Sequence, residues 1–211
     1  MQRQGLLKEY YFGVDLGQAN DYTALSVVER NQPVIQKGDI LKNTGEHFYN
    51  LRYLERLPLR TPYPDQVQKV KALYEDERLA KEQKFLIVDN TGVGRPVSDL
   101  FKKAGINPIS INITGGHETH RVTGGYNVPK RDLATNLQVF FQNGRLKVAR
   151  GIKEVDTLIN ELMNFKIKVN PDTGHDRYEH REGEHDDLVL SVALAVWYSE
   201  KKLSGGITFL K

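Results

Sequence analysis

The feature that most constrains this chain is a pair of adjacent aspartates, Asp186 and Asp187, placed directly before a largely apolar run over residues 188–197. The run contains neither Gly nor Pro, and its pattern predicts a buried helix. Two like charges at the mouth of such a helix repel each other, and the helix dipole compensates only part of that repulsion. A divalent cation would resolve the conflict if carboxylates from elsewhere in the chain converged on the same point.

Composition narrows the class of protein. A chain of 211 residues with 39% hydrophobic content fits one domain with a real core. No apolar run reaches about 18 residues, so no transmembrane helix is expected, and the N-terminus lacks the apolar stretch of a signal peptide. The absence of cysteine excludes disulfides and thiolate metal sites. The net charge of +3 permits a polyanionic partner without requiring one.

The first part of the chain predicts an antiparallel meander. We expect residues 1–9 to form a lead-in or linker remnant, followed by strands over 10–14, 23–30 and 34–41. A tight connection is expected at Asn31-Gln32-Pro33. Residues 49–57 form a further extended segment, although the prolines that follow it break regular structure.

The second part predicts a β-α-β unit and therefore a partly parallel sheet. Its elements are a helix over 64–84, a strand over 85–88, a helix over 96–104 and a strand over 108–113. A polar loop with four glycines follows over 114–128. Further along we expect helices over 129–143 and 152–163, a short edge segment over 145–148, a strand over 165–169 and a hairpin within 172–181. The last helix spans 186–201, so that the main domain covers 10–201 and residues 202–211 form a tail.

Three acidic positions each stand at the end of a predicted element. Asp15 closes the first strand, Asp89 closes the strand over 85–88, and Asp186 with Asp187 opens the last helix. A meander followed by parallel strands would bring the ends of these two strands side by side, where α/β sheets gather ligands. Carboxylates that meet there cannot all stay ionised alone, but they can around Mg²⁺ or Mn²⁺. Taken singly, each acid could equally be a turn residue or a helix cap.

The pattern resembles the nuclease domain of the large terminase subunit, the DNA-packaging motor of tailed bacteriophages. The matching segments are GVDLG (13–17) with DYTAL (21–25), VDNTGVG (88–94) and HDDLVLSVALA (185–195). The resemblance implies an α/β ribonuclease H-like fold, with a mixed sheet flanked by helices. It also implies two-metal cleavage of double-stranded DNA, in which Asp15, Asp89 and Asp187 would be metal ligands and Asp186 a further or alternating one.

The same resemblance implies partners. A full-length relative would carry an N-terminal ATPase domain, whereas this sequence contains no P-loop motif, so we expect an excised nuclease domain. A small terminase subunit, a portal and double-stranded DNA are implied as partners, in the cytoplasm of an infected bacterial cell.

Several basic and histidine residues are candidates for DNA contact. They share a position near the expected cleft or on a segment that follows it. The candidates are His117, His120, Arg121, Lys130, Arg131, Arg145, Lys147 and His185. Each could also be an ordinary surface residue. Gly92 and Gly94 could allow a close approach of DNA, or they could simply form a tight turn.

Other functions remain open at this stage. A resolvase- or transposase-like nuclease would keep the fold and change the substrate. The segment Asp15-x-Gly17 followed by a meander also resembles the phosphate loop of the actin and sugar-kinase fold, although that architecture needs two such lobes. A catalytically silent DNA-binding domain is disfavoured because all the acids are present.

Overall fold

The protein is built on one mixed sheet. The computed structural model describes residues 3–17, 21–37, 40–92, 95–164 and 185–204. Within them the strands are β1 (Arg3–Asp15), β2 (Ala24–Lys37), β3 (Ile40–Asn43), β4 (Phe48–Arg56), β5 (Gln83–Asp89), β6 (Ile109–Thr114), β7 (His120–Val122), β8 (Gly125–Pro129) and β9 (Leu146–Val148). The strand order is β7-β8-β6-β5-β1-β2-β4-β9, and β3 pairs with β2. The expected α/β architecture with antiparallel and parallel parts is confirmed.

The antiparallel part is longer than the sequence suggested. β1 and β2 pair continuously from Arg3 with Gln36 to Asp15 with Ala24. The lead-in expected over residues 1–9 was wrong for residues 3–9, which belong to β1, and the turn expected at Asn31-Gln32-Pro33 was also wrong. The polar side chains there make contacts within the sheet instead of closing a turn. Asn31 donates to Glu29 at 2.8 Å and Gln32 donates to the Gly45 carbonyl at 2.9 Å.

The parallel part begins after a helix that is shorter than expected. α1 covers Tyr63–Tyr74 instead of reaching residue 84. Asp76 then accepts a bond from the Arg78 backbone N–H and caps a 3₁₀ turn over Glu77–Leu79, which ends the α-helical path. β5 follows and pairs in parallel with β1, and β6 pairs in parallel with β5 through the helix α2 (Arg95–Lys103). The predicted β-α-β unit is therefore confirmed.

The glycine-rich segment over 114–128 was expected to be a loop, and that expectation was wrong. Much of it forms the β7–β8 hairpin, which extends the sheet beyond β6. Gly124 makes the turn with a φ of 80°. Gly125 then pairs with Ser110 so closely that a Cβ would lie 1.7 Å from the Ser110 carbonyl oxygen. Gly124 therefore forms a turn and Gly125 permits a close strand pairing, although a glycine-rich segment is typical of a loop.

Helices cover both faces of the sheet. α1 and α2 pack on one face against alternate residues of β1 such as Phe12 and Val14. α3 (Lys130–Gln142), α4 (Val155–Asn164) and α5 (Asp187–Ser204) cover the face to which Tyr11 points. None of the described helices is long and apolar enough to span a membrane. The strand expected over 165–169 and the hairpin expected within 172–181 lie outside the described residues.

Gly13 sets the distance between α5 and the sheet. A Cβ at this position would lie 1.8 Å from the Ser191 carbonyl oxygen and 2.9 Å from the Ser191 carbonyl carbon. Ser191 lies one turn into α5, and the helix is buried against β1 and β2 from Leu188 onward. The GVD segment therefore combines a glycine that admits the helix with an aspartate two residues later, at the end of the strand.

We expect Gly13→Ala to destabilise the protein, because the added methyl group meets backbone atoms of α5 that cannot rotate away. Overpacking of this kind costs about 1 to 3 kcal/mol. Urea unfolding measures the loss, and Gly5→Ala is a matched control because a Cβ at Gly5 meets no atom within 4 Å. Equal stability of the two variants would show that α5 does not depend on this close approach.

Candidate active site

The ends of two parallel strands bring two of the predicted acids to one edge of the sheet. Asp15 is the last residue of β1 and Asp89 is the last residue of β5, and Val14 pairs with Val88 one residue earlier. α5 begins at Asp187 and crosses the sheet over β1. The expectation that strand pairing makes Asp15 and Asp89 neighbours is confirmed, and Asp187 lies within electrostatic reach of Asp15.

All three of these carboxylates are buried. Asp15, Asp89 and Asp187 are 9%, 8% and 8% exposed, respectively. Burial raises the pKa of Asp15 well above its usual range, and the negative charges of Asp89, Asp187 and Asp186 raise it further. Burial also raises the pKa of Asp89 to about 6, although a hydrogen bond from the Thr91 N–H at 2.8 Å opposes the shift. The site therefore concentrates negative charge where water cannot screen it.

Asp186 has a lysine as its partner. Lys130 Nζ lies 2.5 Å from Asp186 Oδ2, and the Lys130 side chain is only 11% exposed. Lys130 is the first residue of α3, directly after β8 ends at Pro129 on the same edge of the sheet. Its positive charge acts to lower the pKa of Asp15 and Asp89, which shows that it lies inside the site.

Asp187 has an arginine as its partner. Arg56 Nη2 lies 3.1 Å from Asp187 Oδ2, and His185 Nδ1 lies 3.8 Å from the same oxygen. Among the described residues this buried oxygen accepts no hydrogen bond of good geometry. Burial raises the pKa of Asp187, while Arg56 opposes the shift. The two adjacent aspartates thus differ in surroundings, because Asp186 faces Lys130 and Asp187 faces Arg56.

Glu161 belongs to the site, although no pattern in the sequence indicates it. Its carboxylate forms a close ion pair with Arg56, and its Oε2 accepts a hydrogen bond from the Val189 N–H at 3.1 Å. This bond satisfies one of the open N–H groups in the first turn of α5. Burial raises the pKa of Glu161 to about 7. A single Glu in a helix carries no recognisable motif, whereas Arg56 could have been noticed as the residue that ends β4 on the same edge.

The loop after β1 supports Arg56 and His185. Arg56 lies over the Tyr22 ring at 4.7 Å from its centroid, and the Tyr22 ring meets His185 edge-on at 5.1 Å. Thr23 Oγ1 accepts a hydrogen bond from the Gly17 N–H at 3.0 Å. Asp21 is exposed, and its charge acts to raise the pKa of Asp187.

The candidate DNA contacts divide between two edges of the sheet. Lys130, Arg131 and His185 lie at the edge that carries the acids, and Arg131 donates to the His117 carbonyl at 2.8 Å. His120 and Arg121 lie exposed on β7. Arg145 and Lys147 lie at the opposite edge, because β9 pairs with the first residues of β4, whereas Arg56 ends that strand. Arg145 is bound there to the His47 carbonyl, at 2.8 Å.

The donor set fits a hard divalent cation in its chemistry. Carboxylate oxygens are the ligands that Mg²⁺ and Mn²⁺ prefer, and Asp187 Oδ2 is a buried oxygen without a hydrogen bond among the described residues. Within the part of the chain that the structure describes, however, no three His, Asp or Glu side chains are gathered as a ready metal cage. Two of the oxygens that would serve as ligands are instead turned to Lys130 and Arg56.

Terminase nucleases are among the solved structures to which this chain is similar. The large terminase nuclease from thermophilic phage G20c is 23% identical, with a TM-score of 0.54, and the match covers 92% of this chain and 82% of that one. The Mn-soaked terminase nuclease domain of human cytomegalovirus is 15% identical, with a TM-score of 0.49 and coverage of 89% and 83%. A comparison with curated proteins finds no match.

The mixed sheet, with helices on both faces and acids at the ends of its central strands, defines the class of ribonuclease H-like nuclease folds. Residues 12–198 match the family described as the terminase RNaseH-like domain. The chain therefore belongs to that family. The resemblance seen in the sequence is confirmed, and family membership supports a terminase nuclease.

The metal-free protein should lose stability as the pH rises. The pKa values of Asp89 and Glu161 lie near 6 and 7 in the folded state, against ordinary values of 3.8 and 4.5. Between about pH 4 and pH 7 the folded state thus binds more protons than the unfolded chain, and stability falls as they leave. For Asp89 the shift corresponds to roughly 3 kcal/mol.

Urea unfolding in EDTA from pH 5 to pH 8 measures this slope. We expect Asp89→Asn to flatten it and to raise stability at pH 7.5, because the amide carries no charge and still accepts the Thr91 bond. We expect ionisation of the buried acids to lower the free energy of unfolding. This expectation is wrong if the free energy of unfolding increases with pH across this window, or if Asp89→Asn leaves its pH dependence unchanged.

Proposed function

We propose that this domain is a metal-dependent endonuclease that cuts double-stranded DNA during packaging of a viral genome. The observation that carries the proposal is the burial of Asp15, Asp89 and Asp187 at one edge of the sheet, each placed by a different element. Burial of several carboxylates near one another is costly for the folded protein, because it raises their pKa, whereas carboxylate oxygens are the ligands that hard divalent cations prefer. Membership of the terminase family supplies the substrate class.

The chain's own residues supply the ligands and the surroundings of the reaction. Asp15, Asp89 and Asp187 would hold Mg²⁺ or Mn²⁺, and Asp186 would be a further ligand once Lys130 releases it. A pair of ions held by these carboxylates would supply the Lewis acidity that phosphodiester hydrolysis needs at the attacking water and at the leaving oxygen. β1, β5 and α5 fix the carboxylates on rigid elements, and the apolar residues beneath them exclude other water.

DNA would approach the edge of the sheet that carries the acids. Arg131, His117 and His185 border this edge and are suited to contact phosphate groups on either side of the scissile bond. His120 and Arg121 on β7 extend the same side of the molecule. Arg145 and Lys147 lie at the far edge and would not touch the DNA being cut.

The proposal includes the partners that belong to genome packaging. An ATPase domain in the same polypeptide or the same complex would drive the DNA, since the sequence here contains no P-loop motif. A small terminase subunit and a portal would complete the machine in the cytoplasm of the infected bacterium. The nuclease itself would cut with little sequence preference, so its partners would decide when and where it acts.

We expect the purified domain with Mn²⁺ to nick and linearise supercoiled plasmid. Asp15→Asn and Asp187→Asn should each reduce the rate by about a hundredfold or more, because each replaces a charged ligand of the proposed metal site with a neutral amide that binds a divalent cation more weakly. Asp99→Asn is a matched control, since Asp99 is an exposed acid on α2. Intact plasmid in the presence of wild-type protein, or equal cutting by all variants, would refute the proposal.

Mn²⁺ should also stabilise the folded protein in the absence of DNA. When free Mn²⁺ is ten times its Kd, the gain is about 1.4 kcal/mol, or an increase of about 3 to 6 °C in Tm. Differential scanning calorimetry at constant ionic strength measures it. The increase should disappear in Asp15→Asn and persist in Asp99→Asn, and an identical increase in both variants would place the bound metal elsewhere.

A further inference from the structure

The edge of the sheet that carries the acids contains more negative than positive side chains. Five acidic side chains lie together there, and a lysine and an arginine form ion pairs with three of them. The acids are Asp15, Asp89, Asp186, Asp187 and Glu161, and the cations are Lys130 and Arg56. This excess of negative charge favours the binding of a further cation. Lys130 and Arg56, however, already form ion pairs with the carboxylates of Asp186, Asp187 and Glu161.

Lys130 is fixed within the site by its backbone. β8 pairs with β6 up to Pro129 opposite Thr114, and α3 begins at the next residue. The Lys130 side chain therefore starts from a rigid junction and ends 2.5 Å from Asp186 with only 11% exposure. A lysine ordinarily extends into water, so the burial of this one is favoured by its ion pair with Asp186 and by the negative charges of Asp15 and Asp89 nearby.

Arg56 is held just as firmly. It ends β4, its side chain is 15% exposed, and its guanidinium lies between Glu161 and Asp187. The Tyr22 ring supports it from a third side at 4.7 Å. Glu161 is therefore a positioning residue, because it holds Arg56 against Asp187 and at the same time caps α5 through the Val189 N–H.

We propose that Lys130 and Arg56 are resident counter-cations that stabilise the metal-free site and compete with divalent metal for Asp186 and Asp187. The inference rests on the proposed metal-dependent function and adds a determinant of its metal affinity. It also accounts for the geometry, since among the described residues no three acids are gathered as a cage while two of them face these cations. A metal ion would have to draw the carboxylate oxygens away from nitrogen partners that already neutralise them.

Removal of either cation should change two measurable properties in opposite directions: the stability of the metal-free protein should fall, and its affinity for metal should rise. Without the cation the like charges repel more strongly, so the metal-free protein should unfold more easily. The same loss frees carboxylate oxygens and removes a positive charge next to the metal, so metal should bind more tightly. A residue with a merely structural role would weaken both properties together.

The test compares Lys130→Gln with wild type, using Mn²⁺ alone as the probe. Thermal unfolding in EDTA should show a lower Tm for the variant, while isothermal titration should show a Kd for Mn²⁺ at least fivefold lower. Lys130→Arg should restore both values toward wild type. Lys103→Gln, which removes an exposed lysine from the last turn of α2, is the control and should change neither.

A second variant tests the other cation. Arg56→Gln alone would leave Glu161 buried and unpaired, so it is combined with Glu161→Gln to form a neutral hydrogen-bonded pair. This double variant should also bind Mn²⁺ more tightly than wild type, and it keeps the proposal testable if Lys130→Gln does not fold.

The outcomes separate this proposal from the nuclease function. If wild type binds Mn²⁺ and cuts plasmid, but Mn²⁺ affinity in the folded variants is unchanged or weaker, the counter-cation proposal fails and the function stands. If wild type neither binds Mn²⁺ nor cuts plasmid, the proposed function fails and this inference fails with it.

Discussion

Repulsion among buried carboxylates is the interaction on which the rest of the site depends. Asp15, Asp89 and Asp187 are each less than a tenth exposed, and burial raises the pKa of all three. The charges of Asp89 and Asp187 raise the pKa of Asp15 further, and the charge of Asp186 acts in the same direction on all three. A fold keeps such an arrangement only if rigid elements hold it and positive charge is nearby. Here the parallel neighbours β1 and β5 are the rigid elements that hold Asp15 and Asp89. Lys130 and Arg56 supply part of the positive charge. The remaining negative charge is what suits the site to divalent metal.

A few close contacts between α5 and its neighbouring elements determine where the site lies. Gly13 lets α5 approach β1, so that Asp187 in its first turn comes within electrostatic reach of Asp15 at the end of the strand. Glu161 then fixes the same helix end from α4 and holds Arg56 in place. The position of the buried acids therefore depends on packing between elements that are distant in sequence, and substitutions at Gly13 or Glu161 should alter the surroundings of these carboxylates.

The sequence could predict the acids because each marks the end of an element with a clear local pattern. Asp15 and Asp89 close apolar strands, and Asp187 opens an apolar helix, so topology alone could bring them together. Glu161 and the pairing of Lys130 with Asp186 could not be predicted in this way, since they depend on how α3 and α4 pack around α5. Among the described elements, turn and loop predictions from local composition were wrong where tertiary contacts determine the structure. Asn31 and Gln32 look like turn residues but lie within β2, where Asn31 donates to Glu29 of the same strand and Gln32 donates to the Gly45 carbonyl. Gly125 looks like a loop residue but pairs with Ser110.

We propose that the buried acids form a divalent-metal site whose oxygens are partly held by resident cations. A crystal structure of the domain soaked in Mn²⁺, with anomalous scattering recorded at the manganese edge, would show whether metal binds there. We expect anomalous density among Asp15, Asp89 and Asp187, with Asp186 drawn away from the Lys130 ammonium relative to the metal-free crystal. Absence of density among these carboxylates at saturating Mn²⁺, or density only at other positions, would contradict the account.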